Sequence, residues 1–371
     1  MKKNIEGPWT DTPPNMQGDT LGPLIGEIRV LIQAARHAAA SAVNSLQVAT
    51  NFEIGRRIVE QEQKGEKRAE YGSELINVLS ARLSEEFGSG FSTRNLRNFR
   101  AFYLTYRDRS TAIWQKPSAK SKQGQSELPG SSNPFLLSWS HYVLLLSIKD
   151  PDERSFYEIE ASRENWSIPE LKRQVASSLY ERLALSRDKD EVRKLASEGL
   201  VVSKPEDMLK EPYVLEFLGL DEKASYSESD LEQAIIDQIE RFLLELGKGF
   251  LFEARQKRFT FDEDHFFVDL VFYNRLLRCY VLIDLKLDKL THQDLGQMQM
   301  YVNYFDRHVK LPEENPTVGI LLCKRKKDAI VELTLPPDAN IHAKEYQLYL
   351  PSKELLRQKI LEWTDQEEGD K

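Results

Sequence analysis

The chain has 371 residues, 40% hydrophobic and 30% charged, a mix that builds ordinary globular cores over a length that points to more than one domain. A net charge of −8 excludes a uniformly basic nucleic-acid coat but leaves room for a local basic patch. No apolar stretch approaches the ~20 residues that span a bilayer, and the N-terminus lacks an apolar signal core, so the expectation is a soluble cytoplasmic protein with no membrane partner.

Residues 1–20, rich in Pro, Gly, Asn and Thr, read as a disordered tail. "LIGEIRVLIQAARHAAASAVNSLQVATNFEIGRRIVEQEQ" then spaces its apolar residues as a helix does. "YGSELINVLSARLSEEFG" is a second helix, stopped by Gly88 and Gly90. "FSTRNLRNFRAFYLTY" is a third, with Ser92 as its N-cap and with Leu96, Phe99 and Tyr103 facing a core. Residues 115–133 are Ser-, Gly- and Pro-rich and read as a flexible loop. Helices resume with "SWSHYVLLLSI" and "DERSFYEIEASREN". "WSIPELKRQVASSLYERL" opens with Ser167 as cap, Pro169 in the first turn and Glu170 closing a capping box. The expected organisation is a helical domain over 21–185, a charged linker region over 186–228 and a second domain over 229–371.

That second domain begins with "SDLEQAIIDQIERFLLELG", read as one long helix ending at Gly247. "FLFEARQKRFTFD", "HFFVDLVFYN" and "LRCYVLIDLKL" follow as three strands joined by short turns. "THQDLGQMQMYVNYFDRH" is a helix, "TVGILLCK" a buried strand, and "EYQLYL" and "SKELLRQKILEW" a final strand and helix. This order predicts an α/β core with helices packed on a mixed sheet. The two cysteines, Cys279 and Cys323, fall in its strands, too few and too far apart for a zinc site, and read as buried thiols of a reducing compartment.

Two strands of this core carry acidic residues amid apolar neighbours. Asp269 stands between Val268 and Leu270, and Asp284 follows Ile283. Side chains alternate along a strand, so Asp284 and Lys286 share one face while Leu285 and Leu287 point to the other. If 266–273 pair with 278–287, Asp269 comes near Asp284, gathering two carboxylates and an ammonium at one end of a sheet. Such carboxylates favour a hard divalent cation with oxygen ligands. With a lysine beside it, that cation suits phosphodiester hydrolysis. An isolated D-x-K is also a common ion pair on an exposed edge. The apolar flanks favour the site, because charges on buried strands are normally paired or bind metal.

"VDLVFY" and "YVLIDLKL" resemble the core of the PD-(D/E)xK nucleases, which have a restriction-endonuclease-like fold. The longer run "DLEQAIIDQIERFLLELGKGFLFEARQKRF", with the strands after it and "HQDLGQMQMYVNYFD", is similar to the bacterial YhcG family. "FEIGRRIVEQEQKGEKRAEYG", "FGSGFSTRNLRNFRAFY", "LSWSHYVLLL" and "WSIPELKRQV" resemble that family's N-terminal domain, so the resemblance covers nearly all of the chain from Leu21 onward. It implies that Asp269 is the first motif aspartate, with Val268 in place of the proline, that Asp284 is the second acid and that Lys286 is the lysine. Glu232 is the candidate fourth acid, although Ser229-x-x-Glu232 also reads as a capping box; Glu240 is the fallback. Gln297 matches a supporting polar position, with Tyr301 one turn on as packing. Gln256 carries little weight, and Asp288 and Lys289 read as turn residues. Asp269, Asp284 and Glu232 would then hold Mg2+ or Mn2+.

In the helical half, Arg94, Arg97, Arg100, Arg107 and Arg109 lie on or just after the third helix. Arg94 and Arg97 share a face with Asn98, opposite the apolar back. Such a front suits a DNA groove, and the capped helix start at Ser92 suits a phosphate. A solvated basic face is the competing reading. Lys172 with Arg173 is a weaker second candidate, and Arg56 with Arg57 reads as structural. The fold expected is an all-α N-terminal domain, helix-turn-helix or winged-helix-like, joined to an α/β restriction-endonuclease-like domain. The function expected is metal-dependent DNA cleavage. The alternative is a catalytically weak or inactive DNA- or protein-binding adaptor. RNA stays open as a substrate, and so does self-association into a homo-oligomer.

Overall fold

A computed structural model describes residues 21–64, 69–109, 134–220, 226–336 and 338–360. The expected tail over 1–20 and loop over 115–133 lie outside them. The chain divides into two compact units, Met1–Leu146 and Ser147–Lys371.

The first unit is helical: α1 (Leu21–Lys64), α2 (Ala69–Phe87), α3 (Thr93–Tyr106) and α4 (Trp139–Leu145). Its core gathers Val48, Phe52 and Ile58 of α1 with Leu96, Phe99, Phe102 and Tyr106 of α3. Tyr103, expected in that core, is half-buried, and its ring packs edge-on against Phe52. Phe102 takes the central place, touching the rings of Phe52, Phe135, Trp139 and Tyr142. α1 and α3 cross closely at Gly55, where a Cβ would stand 2.0 Å from the Phe99 carbonyl oxygen. Any larger residue at that position drives the helices apart.

The second unit starts with α5 (Pro151–Arg163), α6 (Ile168–Ala176), α7 (Leu179–Ala184) and α8 (Lys189–Glu198). Ser167 and Glu170 close the expected capping box. The helix read through to residue 183 breaks instead at Ser178, which is left-handed with φ 53°. A six-stranded sheet follows in the order β1-β6-β5-β4-β3-β2. Its strands are β1 (Tyr213–Val214), β2 (Phe250–Phe261), β3 (Asp264–Asn274), β4 (Cys279–Lys289), β5 (Val318–Arg325) and β6 (Ile341–Gln347). The β2–β3 and β3–β4 pairs are antiparallel; the β4–β5, β5–β6 and β1–β6 pairs are parallel. α12 (Asp328–Thr334) precedes β6, and residues 353–360 are helical.

Helices cover both faces. On one, α9 (Glu228–Asp237) and α10 (Ile239–Leu246) set Leu231, Ile235, Phe242 and Leu246 against Leu270, Phe272, Ile283 and Leu285. On the other, α11 (His292–His308) sets Leu295, Met298 and Phe305 against Val271, Leu282, Leu321 and Cys323. Both cysteines are buried free thiols. α5–α8 join this core through buried charges. Glu245 of α10 is fully buried and accepts from Arg182 at 2.5 Å and from Arg173 at 3.3 Å. Lys248 reaches Glu160 of α5 at 3.0 Å. The sequence pattern changes over 186–228, whereas the compact unit begins at Ser147. Among the described residues no helix is long and apolar enough to cross a membrane.

Candidate active site

Strand register brings the acids together. Leu270 pairs with Ile283, so Asp269, one residue earlier on β3, lies across from Asp284, one residue later on β4. The backbone N–H of Leu285 donates to Asp269 Oδ2 at 2.9 Å, which fixes that carboxylate against β4. Asp284 is only 3% exposed, and its Oδ2 is buried without a hydrogen-bond partner of good geometry. The Lys286 ammonium stands 2.8 Å from that oxygen, and Glu228 Oε2 lies 3.6 Å from the same ammonium. Burial, and then the charge of Asp269, push the Asp284 carboxyl up to about 7 against the pull of Lys286. Burial lowers the Lys286 ammonium, but Asp284 and Glu228 outweigh it and hold it above its ordinary range.

Glu232 projects from α9 into the same corner, 3% exposed. Its Oε1 takes Arg255 Nε at 2.5 Å and its Oε2 takes Gln256 Nε2 at 2.6 Å. Gln256 Nε2 also lies 3.1 Å from Asp269 Oδ1. The capping box at the start of α9 belongs to Ser227 and Asp230, not to Ser229 and Glu232. Glu232 is thereby free to face the sheet. The predicted single helix is two, parted at Gln238, and Glu240 is exposed on α10. Gln297, exposed on α11, hydrogen-bonds the Tyr301 hydroxyl. Tyr301 is 1% exposed; burial raises its phenol, the Gln297 bond opposes this, and the charges of Asp284 and Asp269 add to the rise. Asp288 and Lys289 are the exposed last residues of β4 rather than a turn.

Gln256, given little weight from the sequence, and Arg255 and Glu228, not singled out there, also lie at the cluster. Gln256 is aimed by a left-handed backbone, φ 46°, which nothing in its composition announces. Glu228 and Arg255 carry a weaker signal, each being a charged neighbour of a candidate residue. Among the described residues no group of three or more His, Cys, Asp or Glu is arranged to hold a metal ion. Two facing carboxylates, Asp269 and the buried Asp284, still fit a cation that keeps several waters. A groove of about 330 Å³ runs between β2 and α11, lined by Phe259, Phe261, Gly296, Met300 and Tyr304 among others, but the carboxylates do not line it.

In the first unit, Ser92 caps α3, its hydroxyl accepting from Asn95 N at 3.3 Å. Arg94 and Arg97 are exposed and Asn98 is half-buried. Arg100 is bound to Glu62, its Nε 2.7 and 2.9 Å from the two carboxylate oxygens. Arg56 pairs with Glu53 and Glu60, and Arg57 with Glu53. Arg173 turns inward, onto Glu216 and Glu245, which removes it from any nucleic-acid face; Lys172 is exposed.

Residues 206–361 match the YhcG PDDEXK nuclease domain, and residues 27–182 match the DUF1016 N-terminal domain. The chain is 41% identical over 343 residues to "Putative nuclease YhcG" of Escherichia coli (strain K12), covering 89% of this chain and 91% of that protein. The crystal structure of a repair endonuclease from Pyrococcus abyssi aligns with 35% of this chain at 19% identity and a TM-score of 0.23. The alignment spans 50% of that structure's chain, too slight a likeness to bear on fold or chemistry.

Proposed function

Because the chain belongs to the YhcG family of PDDEXK nucleases, we propose that it is a divalent-metal-dependent DNA endonuclease. The observation that carries this is Asp284: a buried carboxylate facing a second carboxylate, its Oδ2 2.8 Å from the Lys286 ammonium. Asp269 and Asp284 would hold the cation, Mg2+ or Mn2+, with Glu232 behind them. Bound there, the cation supplies positive charge to the phosphoryl oxygens and lowers the pKa of a coordinated water. Lys286, kept protonated by Asp284 and Glu228, donates hydrogen bonds that orient the attacking water and offset charge on the phosphate. Asp269 is held by Leu285 N and Gln256, so its carboxylate meets substrate in a fixed pose. Gln297 steadies Tyr301 behind the carboxylates.

In the helical unit, α3 would contact DNA through Arg94, Arg97 and Asn98, with a phosphate at the start capped by Ser92. Arg100, expected among these, instead ties α3 to α1 through Glu62. The test is cleavage of linear, nicked, branched and single-stranded DNA, and of RNA, with Mg2+, with Mn2+ and with chelator, beside Asp284→Ala and Lys286→Ala. Metal-dependent DNA cleavage that both substitutions abolish is the expected result. Equal cleavage by Asp284→Ala would overturn the mechanism.

A further inference from the structure

Among the described residues, Gln256 alone hydrogen-bonds both Glu232 and Asp269. Its backbone is left-handed inside a strand, a conformation that persists only where the surrounding fold holds it. The consequence is visible along β2. Ala254 and Phe259, an odd number of residues apart, pack toward the same α11 face, which strict alternation forbids. The left-handed residue Gln256 lies between those two and turns one amide into the acidic corner, while the register shift of β2 against β3 lies earlier, between Phe252 and Ala254. The amide nitrogen carries two hydrogens, one for each carboxylate. A neutral donor thus sits where two anions converge, and Arg255 takes the remaining Glu232 oxygen.

We propose that Gln256 is a positioning residue for the reaction: its amide fixes Glu232 against Asp269 and keeps the carboxylate cluster assembled for a divalent cation. The role rests on the nuclease reading above for its purpose, but not for its geometry. Leucine at this position keeps the size and removes the donor, leaving the two carboxylates to repel. Glutamine at position 232 removes that repulsion.

Thermal melting in chelator tests the geometry through four proteins: wild type, Gln256→Leu, Glu232→Gln and the double variant. Gln256→Leu should lower Tm by about 2–4 °C, and the loss should shrink to about half or less in the Glu232→Gln background, where only the bond to Asp269 is removed. Titration of Mn2+ by calorimetry and by cleavage tests the purpose. The half-saturating Mn2+ concentration of Gln256→Leu should rise about tenfold while KM for DNA stays within about twofold. Gln256→Ala gives the same readings should the leucine variant fold poorly. Equal Tm losses in both backgrounds, or an unchanged Mn2+ half-saturation in a protein that cleaves, would overturn the assignment. If the wild type neither binds Mn2+ nor cleaves, the nuclease reading falls, and the chelator cycle alone decides whether Gln256 holds the two acids.

Discussion

Asp284 pays for its place in the fold: burial, and then the charge of Asp269, favour its protonated form against the pull of the Lys286 ammonium. The sign of the effect on stability follows. The carboxyl is raised from 3.8 unfolded to about 7 folded, so between those values the folded protein binds a proton that the unfolded chain releases. Its contribution to stability is full below about pH 4 and is lost as pH rises through about 7. The Tm of the wild type in chelator should therefore decline across that window more steeply than the Tm of Asp284→Asn. At pH 7.5 the asparagine variant should melt higher than wild type while its cleavage falls by about 10²–10³ or more. A cation competes with the proton, so the Tm gained on adding Mn2+ should be greater at pH 8 than at pH 6. A gain independent of pH would mean that Asp284 does not hold the ion.

At the scale of elements, the start of α9 decides whether Glu232 reaches the site. Ser227 takes the cap with Asp230, so Ser227→Ala should cost about 1 kcal/mol in denaturant unfolding while Ser229→Ala costs little. The reverse order would return Glu232 to a capping role. α3 makes a separate prediction. Arg94→Ala with Arg97→Ala should weaken DNA binding in chelator at low salt, and the slope of log affinity against log salt should fall by about 2. The Arg100→Ala change should act on stability through Glu62 rather than on that slope. These elements also show what the sequence made legible. The strands around Asp269, Asp284 and Lys286 were readable because period-two alternation and a short turn specify register almost by themselves. The breaks at Ser178 and Gln238 were not, because neither Gly nor Pro marks them. The α9 cap was left open in the sequence, where Ser229-x-x-Glu232 also reads as a capping box; the structure gives the cap to Ser227 with Asp230. The start of β6 was missed because Ile341-His342-Ala343-Lys344 is only weakly apolar, and its pairing with β5 supplies what its composition lacks.

At the scale of the whole molecule, the buried charges of the second unit set where a stable piece of the chain can begin. Glu245 has 0% exposure. Burial pushes its carboxyl up, but Arg182, Lys210 and Arg173 outweigh that and draw it down to about 2. Two of those three cations lie on α6 and α7. Lys248 depends likewise on Glu160 of α5, and Lys353 and Arg357 of the C-terminal helical residues pair with Glu153 and Glu181. A fragment of residues 147–371 keeps every one of these pairs. A fragment of residues 186–371, cut where the sequence pattern changes, leaves Glu245 with Lys210 but without either arginine, and leaves Lys248 without Glu160. Removing one partner of a buried pair costs roughly 3–5 kcal/mol, and a domain's whole stability is roughly 5–15 kcal/mol. Two such losses, roughly 6–10 kcal/mol, remove most or all of it. Expressed side by side, the longer fragment should melt cooperatively and the shorter should show no thermal transition. If residues 186–371 melt with the same Tm as residues 147–371, the ion pairs on α5–α7 do not hold the nuclease core together, and the core ends where the sequence pattern changes.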